Sequence, residues 1–374
     1  MINGNIKTLA RDLIKKPFKS KILQNSIIFF REQVRGLLAL LPNSFATLLF
    51  KSVLLAILSL LSPFRMAFCQ DDSLKLNTFK PRVDFKAKFE PGGVLIGAGQ
   101  VRTSNTFEFA NAIGREPFMH MDYAGLKGFI KGNAHIDSLA LRLKRFPWNC
   151  ALQLGLSMTT DGKPDLHYEH KVAKGEYDDQ IAYLIKFLSK LDRQVYLRVG
   201  YEFNGEWNGY KDSTFKEAYK RIADSFRKAQ CDNVALIWCF SADGKNHDFM
   251  RYYPGDSYVD WWAIDLFGQN HFAHPATRAF VDSSLAHKRP LMIGESTARR
   301  TDLSKTENAL KRWFVPSFNL IRNTPNLKAF CYINEDWTNT LWPQWGDARV
   351  HKYPDIQNWV RSEISHKHYI SAKP

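Results

Sequence analysis

Eight apolar runs rich in β-branched residues recur along the chain, and a helical or loop stretch follows each of them. The runs are GVLIGAGQV (93–101), PFMHMDY (117–123), NCALQLGLSM (149–158), QVYLRVGYE (194–202), NVALIWCFS (233–241), VDWWAIDLFG (259–268), PLMIGEST (290–297) and LKAFCYINEDW (327–337). Near-continuous apolar strands that alternate with amphipathic helices predict a parallel sheet covered by helices. Eight such units predict an α/β fold, a (β/α)8 TIM barrel over residues 93–365.

A doubly wound open sheet is the main alternative to the barrel. It would require a glycine-rich phosphate turn after its first strand, and GAGQVRTSN lacks the GxGxxG spacing. The sequence therefore favours the barrel.

The composition is that of a globular protein, with 45% hydrophobic and 24% charged residues among 374. The formal net charge of +15 is uneven, because residues 1–70 hold ten Lys or Arg against two acidic residues. The rest of the chain is mildly basic, which does not predict a nucleic-acid partner. A solvated basic surface explains this charge, and an acidic polymer as substrate is the alternative.

The first 69 residues are predicted to be a leader outside the fold. Residues 50–69 have a charged flank, an apolar stretch and small residues before Gln70, as in a secretory signal peptide. The segment before residue 50 is too long for a usual leader, so we expect an over-extended start or a membrane-anchoring arm. The protein is expected to be secreted or periplasmic, and membrane-anchored if the leader is retained. Residues 70–92 form a short lead-in, and residues 366–374 a C-terminal tail.

The five cysteines contain no CxxC pair. Cys69 lies in the leader, and the other four fall in or near predicted strands. We interpret Cys150, Cys231, Cys239 and Cys331 as small buried residues, and the spacing leaves a disulfide open.

No metal or cofactor is predicted. The sequence shows no HExxH motif and no carboxylate–histidine cluster at metal-ligand spacing, which disfavours a metal-dependent hydrolase. The HKH triplet at 366–368 follows the last predicted helix and is expected at the surface.

Two glutamates stand at predicted strand ends, Glu202 in the fourth run and Glu295 in the seventh. A carboxylate at the end of a buried strand is unfavourable for stability unless the protein uses it. The carboxyl ends of barrel strands carry the chemistry, so both side chains are expected at one mouth. Side-chain alternation places Arg198 beneath Glu202, where it can hydrogen-bond a neighbouring carboxylate. Two carboxylates framed by Trp, Tyr and Asn are typical of glycosidic bond cleavage.

The segments LRVGYEFNGEWNGY, YYPGDSYVDWWAIDLFG and PLMIGES resemble those of glycoside hydrolase family 26, a clan A family known for β-mannanases. The resemblance covers roughly residues 90–365, and the strand-four segment is its most specific part. It implies a retaining β-glycosidase that acts on a polysaccharide or oligosaccharide. In that scheme Glu202 is the acid/base and Glu295 the nucleophile.

Two residues depart from the family pattern. The β-mannanases usually have His before the acid/base, where this chain has Tyr201, and the strand-six motif commonly ends with Tyr, where this chain has Phe267. Both changes leave the glutamates in place but alter the subsite at the cleaved bond. The resemblance therefore implies the chemistry and leaves the sugar open, with mannan as one candidate.

Further residues near the predicted mouth are candidates for sugar binding. The aromatic candidates, for which loop packing is an equal alternative, are Trp207, Tyr210, Trp337 and Trp342. The polar candidates, for which turn capping or another structural role is the alternative, are Asn204, Asn208, Asp265, His271, Asn334 and Asp336. Glu206, four residues after Glu202, is the competing acid.

Two other functions would use the same features. A catalytically silent barrel that binds extracellular polysaccharide would share the aromatic platforms, but it has no need of both carboxylates. A transglycosylase would use the same two glutamates with water excluded, and the sequence does not separate it from a hydrolase. We expect a carbohydrate as partner, no nucleic acid, and a monomer.

Overall fold

Eight parallel strands form a closed barrel in the computed structural model, which describes residues 79–100, 102–160 and 163–372. The strands are β1 (Val94–Gly99), β2 (Met119–Gly125), β3 (Ala151–Ser157), β4 (Val195–Val199), β5 (Val234–Ser241), β6 (Trp261–Leu266), β7 (Leu291–Ser296) and β8 (Leu327–Tyr332). Each strand pairs in parallel with the next, and β1 also pairs with β8, which closes the sheet. The predicted (β/α)8 barrel is confirmed. The predicted leader, residues 1–69, lies outside the described residues.

Helices alternate with the strands. They are α1 (Thr103–Ile113), α2 (Ala134–Leu143), α3 (Glu169–Ala173), α4 (Asp178–Leu188), α5 (Asp212–Lys228), α6 (Pro275–Ala286), α7 (Thr306–Ala309), α8 (Val315–Asn323) and α9 (Pro354–Ile364). A π-helical turn, Leu310–Phe314, joins α7 to α8. Short 3₁₀ turns at Trp337–Asn339 and Pro343–Trp345 shape the loop after β8.

The hydrophobic spacing of the sequence explains these elements. In α4, the buried residues Ile181, Leu184 and Leu188 fall at positions i, i+3 and i+7, which share one helical face. Every barrel strand except β2 is buried along its whole length. This is expected where helices cover the outer face and side chains fill the interior.

The segment before β1 closes the N-terminal end of the barrel. Glu90 forms a buried ion pair with Lys328 of β8 at 3.3 Å. The Tyr196 hydroxyl of β4 donates to the carbonyl of Phe89 at 3.2 Å. The open mouth therefore lies at the opposite end, where the strands finish.

The predicted C-terminal tail contributes a ninth strand, β9 (Tyr369–Ile370), which pairs in parallel with β1. Four cysteines are buried free thiols, namely Cys150, Cys231, Cys239 and Cys331. Cys69 lies outside the described residues. Among the helices that the structure describes, none has the length and hydropathy to cross a membrane.

Candidate active site

Arg198, near the end of β4, binds two carboxylates at once in the barrel mouth. Its Nη2 donates to Oε1 of Glu295 at 2.5 Å, and its Nη1 donates to both oxygens of Asp265, at 2.9 and 3.1 Å. Arg198 and Asp265 are fully buried, and Glu295 is 6% exposed. A buried guanidinium needs charged partners, because an unpaired charge in these surroundings is costly. The pairing fixes the position of the Glu295 carboxylate.

Gly294, immediately before Glu295, makes room for this cluster. The register between β6 and β7 shifts after Ile264 and leaves Gly294 as an extra residue, as in a β-bulge. A β-carbon on Gly294 would lie 2.6 Å from Oδ1 of Asp265 and 3.1 Å from Nη1 of Arg198. Glycine is therefore required here by the close approach of the ion pair.

Glu202 lies in a turn beyond β4 and not in the strand itself. The strand ends at Val199, and both Gly200 and Glu202 have a left-handed backbone, with φ of 56° and 52°. The alternation expected from the sequence therefore stops short of Glu202. Asn208 Nδ2 donates to the carbonyls of Tyr201 and Glu202, each at 3.0 Å, and holds the turn. A non-glycine residue in this region is strained, and such strain occurs often at functional sites.

The Glu202 carboxyl group accepts hydrogen bonds from two neutral donors. Ser241 Oγ donates to Oε1 at 2.9 Å, and Trp207 Nε1 donates to Oε2 at 2.8 Å. Burial raises the pKa of Glu202 well above its ordinary value, and the negative charges of Asp265 and Glu295 raise it further. The two hydrogen bonds lower the pKa, but by less. Glu202 therefore stays protonated to a higher pH than a surface glutamate does.

Asp265 shares this electrostatic environment. Burial raises its pKa to about 7, although the Arg198 guanidinium opposes the shift. Three carboxyl groups and one guanidinium thus meet in the mouth, so the cluster retains a proton near neutral pH. Because Arg198 pairs with Asp265 and Glu295, the site best suited to that proton is Glu202.

Two tyrosines pack against the guanidinium. The Cζ of Arg198 lies 5.0 Å from the ring centroid of Tyr201 and 5.7 Å from that of Tyr123. The two rings meet edge to face at 5.5 Å, and a β-carbon on Gly155 would lie 2.7 Å from the Tyr123 ring. The two rings therefore pack together over the guanidinium.

A tryptophan cluster (Trp337, Trp342 and Trp345) follows β8. The Trp337 ring lies 5.0 Å from Trp345 and 6.0 Å from Trp342, and Trp345 lies 5.2 Å from Phe267. Trp337 is 3% exposed, whereas Trp342 is 46% exposed. Trp342 therefore presents a ring to solvent, and its neighbours support it.

Asp243, in the loop after β5, connects this cluster to the neighbouring loops. It accepts two hydrogen bonds from Arg299, both at 2.6 Å, and lies 3.2 Å from Nε2 of His271. Burial opposes ionisation of Asp243, but these contacts lower its pKa to about 2. The Arg299 guanidinium lies 4.9 Å from the Trp345 ring and 5.4 Å from Phe267. One ion network thus orders the loops after β5, β6, β7 and β8.

A family model described as glycosyl hydrolase family 26 matches residues 99–295, which is more than half of the chain. The chain belongs to glycosyl hydrolase family 26. The resemblance seen in the sequence is therefore confirmed, and with it the placement among glycoside hydrolases, which act on O-glycosyl bonds.

Two β-1,3-xylanases are similar to this family 26 chain. One from Alcaligenes sp is 28% identical over 315 residues, which cover 75% of this chain and 65% of that protein. One from Vibrio sp is 27% identical over 315 residues, which cover 74% of this chain and 66% of that protein. The chain thus spans slightly less than two thirds of the length of these relatives. A solved family 26 β-mannanase from Bacteroides ovatus shares the fold, with a TM-score of 0.54, 14% identity, and coverage of 75% of this chain and 90% of its own.

In this family 26 chain, two side chains predicted to bind sugar order the loop after β4. The Asn204 side chain donates to the carbonyl of Ser241 at 2.9 Å and accepts from its backbone N–H at 2.8 Å. The Tyr210 hydroxyl accepts from the backbone N–H of Met158 at 2.8 Å. The polar groups of both side chains therefore form hydrogen bonds within the protein.

The polar candidates after β8 are engaged in a similar way. Asn334 accepts from the backbone N–H of Val350 at 2.9 Å, and Asp336 pairs with Arg349 at 2.9 Å. Glu206, the competing acid, is exposed and accepts from a backbone N–H of the loop after β5. The structure therefore brings Glu206 into a loop contact and not into the carboxylate cluster.

Five residues of the mouth were missing from the predicted site, namely Tyr123, Ser241, Asp243, Arg299 and Trp345. Tyr123 and Ser241 end predicted runs two and five, so their positions at strand ends could have placed them at the mouth. The other three lie in loops, where no periodicity indicates which side chains will meet.

Proposed function

We propose that this family 26 chain is a retaining β-glycoside hydrolase in which Glu295 is the nucleophile and Glu202 the acid/base. The observation that carries the proposal is the contrast between the surroundings of the two carboxyl groups. A guanidinium nitrogen lies 2.5 Å from Glu295, whereas neutral donors contact Glu202 and burial raises its pKa. The first step needs a nucleophile held in position and an acid that keeps its proton, and the ion pair of Glu295 and the raised pKa of Glu202 suit these two roles.

In the first step a Glu295 oxygen bonds to the anomeric carbon while the bond from that carbon to the leaving oxygen breaks. The Glu202 proton passes to the leaving oxygen, so the departing sugar leaves with a hydroxyl group. In the second step Glu202 takes a proton from water, and the water oxygen displaces Glu295 from the anomeric carbon. Two inversions at one carbon give net retention.

Arg198 and Asp265 are positioning residues in this scheme. When Glu295 becomes an ester it loses its charge, but Arg198 keeps its two hydrogen bonds to Asp265. The guanidinium is therefore never left unpaired. The lost charge was one of those that raise the pKa of Glu202, so that pKa falls as Glu202 changes from acid to base.

We infer a β-1,3-linked xylan as the substrate. Two β-1,3-xylanases match about three quarters of this chain, and this chain departs from the mannanase pattern at two positions. Both departures face the mouth, since Tyr201 packs on Arg198 and Phe267 packs on Trp345. Secretion through the signal-peptide-like segment at residues 50–69 belongs to the same proposal, because such a polymer lies outside the cell.

Product analysis tests this function directly. The full chain is incubated separately with β-1,3-xylan, β-1,4-xylan and β-mannan, and proton NMR follows the first anomer released. We expect cleavage of β-1,3-xylan with the β-anomer appearing first. Early release of the α-anomer would refute retention, and cleavage of mannan alone would refute the substrate. Binding of the polysaccharide without any product would support a catalytically silent barrel. Products longer than the substrate would support a transglycosylase.

Azide separates the roles of the two glutamates. Azide ion attacks the glycosyl enzyme of a Glu202→Ala variant and should give a β-glycosyl azide. In Glu295→Ala it attacks the sugar directly, displaces the leaving group once, and should give an α-glycosyl azide. An α-glycosyl azide from Glu202→Ala and a β-glycosyl azide from Glu295→Ala would show that the nucleophile and the acid/base are assigned the wrong way round.

A further inference from the structure

A second cluster of ionisable side chains lies in the segment HYEH (167–170), between β3 and α4. His167, Glu169 and His170 each offer one ligand atom, and these atoms all lie within 4.8 Å of one another. The sequence predicts no carboxylate–histidine cluster at metal-ligand spacing, and the structure nevertheless brings these three side chains together. The spacing is not one of the familiar helical metal motifs, and the residues meet because the chain turns into the short helix α3 at Glu169.

The carboxylate of Glu169 is fully buried and rigidly held. Its Oε1 accepts from Thr214 Oγ1 at 2.8 Å and from the backbone N–H of Lys211 at 3.2 Å. Its Oε2 lies 2.6 Å from Nδ1 of His167. Both oxygens are thus hydrogen-bonded, Oε1 to the start of α5 and Oε2 to the His167 imidazole, and a cation would replace the proton between Oε2 and Nδ1. Metal-binding carboxylates are themselves held in place by hydrogen bonds such as those of Oε1.

The two imidazoles complete a ligand set. The ring centroids of His167 and His170 lie 5.6 Å apart, with an angle of 71° between the rings. Both histidines are half-buried, so an ion and its water can reach them from solvent. Two imidazoles and one carboxylate, with water in the remaining position, form a common protein site for Zn²⁺.

We propose that His167, Glu169 and His170 bind one divalent transition-metal cation. Zn²⁺ is the cation that this set of two imidazoles and one carboxylate favours. The site is separate from the proposed reaction, none of whose steps uses it. It links α3 to the start of α5 through the hydrogen bonds of Glu169 with Lys211 and Thr214. The bound ion would therefore brace the loop between β4 and α5, which also carries Trp207.

The test begins with the full chain freed of metal by a chelator that is then removed. Isothermal titration with Zn²⁺ should show one equivalent bound, the visible spectrum of added Co²⁺ should show d–d bands, and the midpoint of thermal unfolding should rise. His170→Ala should weaken Zn²⁺ binding by about 100-fold or more, since even residues behind the ligands contribute about 10- to 100-fold. Absence of saturable binding to the wild-type chain would overturn the proposal.

Two control variants remove histidines elsewhere. His247→Ala deletes an exposed histidine whose ring contacts His274 at 5.1 Å. His368→Ala breaks a further histidine pair, in which Nδ1 of His366 and Nδ1 of His368 lie 3.2 Å apart. Both variants should bind Zn²⁺ like the wild type. If Zn²⁺ binding is lost in His368→Ala and kept in His170→Ala, the metal binds at His366 and His368, and the proposal is refuted.

A second ligand variant guards against misfolding of the first. Glu169→Gln keeps the shape of the side chain and an oxygen that accepts from Thr214, but it removes the charge that attracts the cation. If circular dichroism shows that His170→Ala is unfolded, Glu169→Gln decides the question. Weaker Zn²⁺ binding in the folded Glu169→Gln variant supports the site, and unchanged affinity refutes it.

Discussion

Arg198 and Glu295 are joined by a 2.5 Å hydrogen bond between Nη2 and Oε1, at the end of the barrel where strands β4 and β7 finish. The same guanidinium also holds Asp265 of β6, so one buried cation orders two carboxylates from neighbouring strands. Glu202 stands beside this cluster with hydrogen bonds from Ser241 and Trp207. The guanidinium thus contacts Glu295 directly, whereas Glu202 has neutral hydrogen-bond donors and a raised pKa.

Removal of the guanidinium should therefore destabilise the fold. Arg198→Met should lower the free energy of unfolding by about 3–5 kcal/mol, because the buried carboxyl groups of Glu295 and Asp265 would lose their cationic partner. Urea denaturation at pH 7 measures the change. The matched control is Arg221→Met, whose pair with Asp178 is exposed and should contribute about 0–1 kcal/mol. Equal losses in the two variants would contradict the importance assigned to the buried pair.

The proposed acid can be separated from its neighbour in sequence. Glu202→Gln should lower kcat by about 10²- to 10⁴-fold on a polysaccharide, because the leaving oxygen then departs without a proton. For an aryl glycoside whose leaving group is an acidic phenol, the rate of the first step should fall less, because that leaving group departs readily without a proton. Glu206→Gln is the control, since Glu206 is exposed and its carboxylate accepts from a backbone N–H of the loop after β5. Loss of activity in Glu206→Gln with activity kept in Glu202→Gln would reverse the assignment.

The barrel could be predicted because its signals are local and repeated. Spacings such as Ile181, Leu184 and Leu188 define helices, and apolar runs define strands. The order of elements then places Glu202 and Glu295 near one mouth, since all strands of a barrel finish at the same end. The sequence also suggested that Arg198 would bond a carboxylate, but not that it would bond two.

The rest of the site depends on contacts between distant loops. In sequence, Glu202 continues the alternation of Arg198 and Gly200, but in the structure β4 ends at Val199 and the backbone turns left-handed. Asn208, six residues after Glu202, holds this turn by hydrogen bonds. Asp243 and Arg299 are 56 residues apart and meet through tertiary packing. Neither contact has a period or a motif, so pattern reasoning could not find it.

The pH profile should respond to Ser241. Its hydrogen bond lowers the pKa of Glu202 because it stabilises the ionised form. Ser241→Ala removes that bond, so the pKa should rise and the basic limb of kcat/KM should move to higher pH. Steady-state rates between pH 4 and pH 10 give the profile. Ser225→Ala, which removes a hydroxyl that bonds a carbonyl within α5, is the control. A limb that moves to lower pH would contradict the assignment of Glu202 as the acid.

Trp342 should contribute to substrate binding and not to the chemical step. Its ring is 46% exposed and is supported by Trp337 and Trp345, as expected for a sugar-stacking surface. Trp342→Ala should raise KM for the polysaccharide by about 2- to 13-fold and leave kcat nearly unchanged, because stacking on an aromatic ring contributes about 0.5–1.5 kcal/mol. Leu341→Ala is the control, because Leu341 is 86% exposed and carries no ring. Equal KM values in all three proteins would exclude Trp342 from the binding surface.

Gly294→Ala should damage both stability and catalysis, since the added methyl group would lie 2.6 Å from Oδ1 of Asp265 and 3.1 Å from Nη1 of Arg198. The fully buried pair cannot move into solvent, so the strain should cost about 1–3 kcal/mol and shift the guanidinium away from Glu295. Urea denaturation and kcat on the polysaccharide measure the two effects. Gly92→Ala is the control, because a β-carbon there meets no atom of the described residues within 4 Å. A Gly294→Ala variant with wild-type kcat would show that the bulge in β7 does not position the nucleophile.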